Sequence, residues 1–217
     1  MRASLLLLLA LARALELPLF PLRKAPRCPT DRLSLNLFEP RYVALAERVL
    51  ASDGVFAGLH CEGPHVLPRG RGPATPLVAE GGVGSVFSVD DWERDGSVVR
   101  IAARAFGRFA VRRVVATPAN REDVAYVVVD AAPVTDVRPS PALAEAEARA
   151  LRAAGSDVGD VRRYAAELLV DAPEGYAAFA PDESELLSFV VATAAGVDKR
   201  TALEDRDTVR RLERALR

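Results

Sequence analysis

Three of the four histidines and cysteines in the chain fall in one six-residue stretch, HCEGPH, at His60, Cys61 and His65. With Cys28 they supply the donor types of a tetrahedral zinc site. His60 and Cys61, however, are neighbours on an expected strand and leave it on opposite faces. The chain also contains no CxxC or HxxxH pair. The reading that follows is no metal and no cofactor. Cys28 and Cys61 have a second use, a disulfide, if the chain enters an oxidising compartment. Otherwise they are two unpaired thiols, one of them buried in a strand.

Other residue types bear on catalysis and binding. In LNLFEPRY (Leu35 to Tyr42), Glu39 and Arg41 flank Pro40, which suits an acid with its partner, a ligand site, or a turn that the fold needs. Ser85 follows glycines in GGVGSVFS, but there is no G-x-S-x-G elbow, and the only histidines available as a base are His60 and His65. Asp90-Asp91 and Asp130 fall at strand ends, where solvated turn carboxylates belong. No enzyme emerges from these groups. Arg100, Arg104, Arg108, Arg112 and Arg113 share one hairpin with Phe106 and Phe109, the pattern of an RNA-binding face. A solvated arginine-bearing strand face is the competing and favoured reading. The net charge of -1 and pI near 6.2 give no overall field for nucleic acid or an anionic membrane.

The elements that must position these groups divide the chain in two. Met1-Arg2, the leucine-rich run Leu5 to Leu11 and Ala12-Arg13-Ala14 have the three parts of a secretory signal, with cleavage after Ala14. The run is well short of the roughly 20 residues of a spanning helix. The expected route is secretory, to the ER lumen or outside the cell, or to a plastid reached that way, with no membrane span after leader removal. A helix that begins the fold is the alternative. Leu15 to Leu22, with Pro18 and Pro21, suits an edge strand. LSLNLF is the next strand. Tyr42, Leu45, Ala46, Val49 and Leu50 then lay one apolar stripe along a helix begun by Pro40. Strands follow from Val55 to about residue 130, interrupted by a proline- and glycine-rich loop over 63–76, an Asp95-Gly96 hairpin and a bulge at Gly107. After Pro133 the composition turns to Ala, Leu, Glu and Arg. Helices are expected from Pro141 to Ala154, Val158 to Val170, Asp182 to Ala195, Asp198 to Leu203 and Asp207 to Leu216. The plan is α+β, with a β-rich part over 15–135 and a helical part over 138–217.

LELPLFPL, LSLNLFEPRYVAL, GGVGSVF, DGSVVRIAARAFGRFAV and ESELLSFVVATAAGVDKRTALE, in that order and spacing, resemble the N-terminal domain of the Lon protease and the free-standing proteins built from it without ATPase and protease domains. The segment APRCPTD departs from the aliphatic-Phe-Pro-Gly turn usual there. The resemblance implies a PUA-like β pseudo-barrel followed by a helical bundle, and a non-enzymatic module that selects unfolded or damaged proteins. No GxxxxGK[ST] phosphate loop is present. Partners would be unfolded or misfolded proteins, or a separate protease or ligase that the module serves as adaptor. An RNA-binding PUA-like module is the alternative. Candidates for the binding surface are Leu17, Leu19 and Phe20 on the edge-like strand, with Phe87 and Trp92, for which core packing competes. Phe38, Glu39, Pro40, Arg41 and Tyr42 are read as a structural strand-to-helix turn.

Overall fold

Apolar side chains occupy both faces of the first strand, so it needs cover on two sides. The computed structural model of the chain describes residues 15–22, 25–61, 78–117, 126–136, 146, 149–150, 163, 167 and 172–216. The expected leader, the 63–76 loop with His65, and most of the helices expected over 141–154 and 158–170 lie outside the described residues. Ala146, Arg149, Ala150, Arg163 and Glu167 are helical.

Six strands are described: β1 (Leu15–Leu22), β2 (Arg32–Leu37), β3 (Val55–His60), β4 (Val83–Asp95), β5 (Val98–Ala116) and β6 (Val127–Pro133). β1 pairs in parallel with β3 and antiparallel with β6, while β3, β4, β5 and β6 pair antiparallel in succession. The ring β1-β3-β4-β5-β6 therefore closes, and β2 attaches outside it, to the first half of β5. The expectation that β1 is an edge strand is corrected. Leu15 to Leu19 pairs with β6 and Leu19 to Leu22 with β3. Each proline thus lies where one side of β1 is unpaired, and its missing N–H can face that side.

The strand pleat sorts apolar residues into two cores. Leu17 and Leu19 of β1, Ala57 and Leu59 of β3, Phe109 and Val111 fill the ring's interior. Phe20, Leu22, Phe56 and Phe87 point outward into a second core, closed by β2 and by helix α1 (Pro40–Leu50). Leu45, Ala46 and Val49 are the buried stripe of α1, as the spacing predicts. The 19-residue β5 wraps the ring because its ladders carry register shifts on both sides. At three of the four shifts the residue left without a partner is on β5, which bends and twists that strand, and at the fourth it is Asp90 of β4. One extra residue is Phe106, beside Gly107, where the sequence places the bulge.

The helices α2 (Glu183–Ala194), α3 (Lys199–Glu204) and α4 (Thr208–Ala215) begin alike. Asp182, Asp198 and Asp207 each accept a hydrogen bond from the backbone N–H three residues on, at 2.7, 2.9 and 3.1 Å. A short 3-10 turn, Ala177–Phe179, docks the segment before α2 onto the ring, with Phe179 in the ring's core. It fits because residue 107 is glycine: a Cβ there would lie 2.1 Å from the Phe179 carbonyl oxygen.

Candidate functional site

Arg32, Ser34 and Asn36 alternate with Leu33, Leu35 and Leu37, so β2 turns its leucines to the second core and its polar side chains outward. Its peptide groups are as informative. Thr30 N–H donates to the Ala105 carbonyl at 2.8 Å, and Ala105 N–H donates to the Asp31 carbonyl at 2.9 Å. Bonds toward one neighbour recur every second residue, so Ala103, Ile101 and Val99 face Leu33, Leu35 and Leu37. The peptide groups of Ser34 and Asn36 consequently point away from β5, where no described residue bonds them. β2 is the open edge of the sheet.

Beside that edge lies a slot of about 640 Å³ between β2 and the end of β1. Phe20, Leu22, Leu33 and Leu37 of the second core contribute to its lining. Phe38, Glu39 and Tyr42 mark one end, and Ala25 and Arg27 the other. Phe38 is 67% exposed, so a large apolar ring stands in water at the mouth of an apolar slot. Tyr42 stacks on Phe20 with ring centroids 5.7 Å apart, and the Arg41 guanidinium lies 4.6 Å from the Tyr42 ring centre. Arg41 also donates to Glu39 at 2.5 Å. Glu39 and Arg41 of LNLFEPRY are therefore partners of each other across Pro40, the first residue of α1, and among the described residues neither forms an ion pair with a neighbouring strand. Glu39 is the N-cap residue of α1 but makes no side-chain capping bond.

A second constellation is wholly buried, where the ring meets the helices. Arg108 of β5 donates to Asp136 at 2.5 Å, to Glu185, and to the carbonyls of Leu203 and Asp205 at 2.9 and 3.0 Å. Arg211 of α4 donates to Ser188 at 2.8 Å, to Asp136 and to the Asp205 carbonyl. Both guanidiniums lie over the Phe189 ring, at 5.0 and 4.2 Å. Two cations face two carboxylates with no exposed guanidinium surface. Burial raises the Asp136 carboxyl, but the hydrogen bond and charge of Arg211, then Thr208 and Arg108, outweigh it and hold Asp136 below its ordinary value. For Glu185 burial wins over Arg108, and its carboxyl is raised. Both terminal nitrogens of each guanidinium are committed, and only Arg108 Nε lacks a partner among the described residues, so the cluster is a tether between ring and helices. Sequence carries a trace of it: Arg211 sits on the buried stripe of α4 with Thr208 and Leu212, where an apolar residue would be usual.

The remaining candidates separate cleanly. Leu17, Leu19, Phe20 and Phe87 are buried core residues, which corrects their assignment to a binding surface. Phe20 still borders the slot. Trp92 is 52% exposed on β4, in register with Ile101 of β5, which in turn pairs with Leu35 of β2. Cys28 and Cys61 are unpaired and buried in different clusters, so the disulfide is corrected to two free thiols. Burial pushes Cys28 up to about 12, with Asp31 adding to it, and Cys61 up to about 11. Among the described residues no three His, Cys, Asp or Glu come together as a metal-binding set. The arginine hairpin is also rearranged. Arg108, Phe106 and Phe109 are buried, Arg100 pairs with Glu93 and Asp95, and Arg104 pairs with Asp90. Arg112 and Arg113 stay exposed without an aromatic of that hairpin beside them in solvent.

Compared by sequence, the chain matches no family model and no curated protein. Compared by fold, it is similar to solved Lon N-terminal domains. A Lon N-terminal domain protein from Xanthomonas campestris aligns at a TM-score of 0.54 and 20% identity, over 93% of this chain and 97% of that one. The N-terminal domain of Mycobacterium avium complex Lon protease aligns at 0.56 and 15% identity, over 93% and 96%. The mixed α+β fold is that of a Lon N-terminal domain, as the sequence resemblance implies.

Proposed function

We propose that the chain is a protein-binding module that takes up extended apolar segments of unfolded or misfolded proteins as an added strand on β2. The observation that carries this is the open β2 edge beside the apolar slot. Unpaired peptide groups bind any extended backbone, and the slot selects for apolar side chains on alternate positions. Six residues of β2 match a client segment of about 20 Å. Such a segment exists only where a protein is unfolded, because folded proteins pair or cover their strands. Likeness to Lon N-terminal domains supports the same reading, including a PUA-like description of the ring and a role as adaptor to a separate protease or ligase. RNA binding is less well supported, since the aromatics it would stack on lie in the core.

The test is fluorescence anisotropy with a labelled client held unfolded and the same client folded. Binding of the unfolded form alone is expected, and Ser34→Pro should abolish it by deleting an outward N–H that β5 does not use. Equal binding to both forms, or full binding by Ser34→Pro, overturns the reading.

A further inference from the structure

Among the described residues, the slot carries an unpaired charge at one end only. Arg27 lines it where β2 begins, and Arg32 is the first residue of β2. Neither guanidinium has an ion-pair partner among the described residues, and the nearby carboxylates are taken: Asp31 pairs with Lys199 at 2.6 Å, and Glu39, at the far end, with Arg41. The far end is instead marked by the exposed Phe38 and by Tyr42. An occupant is therefore matched by an anion at the β2 start and by apolar groups along the rest.

Strand direction decides which part of a client supplies that anion. A segment added antiparallel to β2 runs from Phe38 toward Arg27 and brings its C-terminal end to the two arginines. One added in parallel would bring an amino terminus, a cation, to the same place. We propose that the slot reads free C-terminal ends: an extended apolar tail lies antiparallel on β2, and its terminal carboxylate is held by Arg27, which lines the slot, while Arg32 on the outer face adds positive charge at the same strand end. This rests on the docking reading above and narrows it from any unfolded segment to chain ends. An arginine fork meets a carboxylate with two parallel N–H bonds, which are charge-assisted and stronger than neutral ones.

Three N-terminally labelled peptides of one apolar six-residue sequence test this on the full chain. One ends in a free carboxylate, the second in an amide, and the third in an amide with Asp at its last position. The free-acid peptide is expected to bind at least about tenfold tighter than the plain amide, a difference of about 1.4 kcal/mol. Arg27→Gln with Arg32→Gln should bring the acid down to the amide's affinity and leave the amide unchanged. Equal binding of acid and amide overturns the terminal-carboxylate assignment while leaving strand docking standing. Binding of the Asp peptide as tightly as the acid also overturns it, since a side-chain carboxylate would then suffice. Failure of all three to bind overturns docking and the inference together.

Discussion

The two halves of β5 present the same edge to different neighbours. Over Val99 to Arg104 that edge carries β2, and the sheet stops there. Over Phe109 to Ala116 it carries β6, which goes on to β1 and closes the ring. The arginines follow suit. Arg100 and Arg104 of the first half meet acids at the surface, whereas Arg108 of the second is sealed among carboxylates and carbonyls contributed from beyond β6. Where the ring closes, charge serves cohesion; where it fails to close, backbone groups are left for a partner. One strand thus supports a rigid half and a receptive half.

The contrast can be broken most severely on the closed side. Arg211→Ala or Asp136→Ala leaves a buried charge without its partner, and unfolding in urea should show a loss of about 3–5 kcal/mol. The acid limb carries a sign. Asp136 is lowered in the folded protein, so its stabilisation is present above the ordinary aspartate value and lost as pH falls through the lowered one. Glu185 is raised and acts oppositely: its contribution is present at low pH and fades as pH rises through its raised value. Asp136→Asn should therefore flatten the acid-side fall in melting temperature. Gly107→Val drives a side chain into the Phe179 backbone, and the resulting overpacking should remove about 1–3 kcal/mol.

On the open side the expected stability effects are smaller. Ser34→Pro should change the unfolding free energy by less than about 1 kcal/mol, because edge strands tolerate proline where the N–H faces outward. A loss as large as that for Arg211→Ala would show that the β2 edge is already covered. Glu39→Ala removes a partly exposed ion pair and should lower stability by about 0–1 kcal/mol in thermal melts. Least of all should be thiol alkylation of native protein at pH 8. Cys28 and Cys61, raised from 9.0 by burial, stay protonated there and should react only after unfolding. Rapid labelling of Cys28 alone would show opening beside β2.

Much of this was legible in the residues. The stripe of α1, the Asp95-Gly96 turn and the three aspartate caps are local signals, and each element lies within about a residue or two of where they place it. What sequence could not show is long-range pairing. LELPLFPL reads as an edge because of its prolines, yet it is flanked because β6 returns to it. RLSLNL reads as an ordinary half-buried strand, and nothing in its own residues says that its outer side stays unpaired. Arg108 lies in an arginine-rich strand where exposure is the default, and only the arrival of Asp136, Glu185 and Arg211 makes it a core residue.

That arrival also sets an order of events. Arg108 receives its carbonyl partners from 95 and 97 residues farther along the chain. A ribosome releasing the protein from its N-terminus delivers all the strands before the groups that neutralise Arg108. During that interval the nascent ring holds a cation at a seam still wet, and the last helices finish the barrel by drying it. Stalling synthesis before α4 should thus leave a strand-paired but unsealed intermediate, detectable as arrested chains that proteases cut near the ring and released chains that they do not.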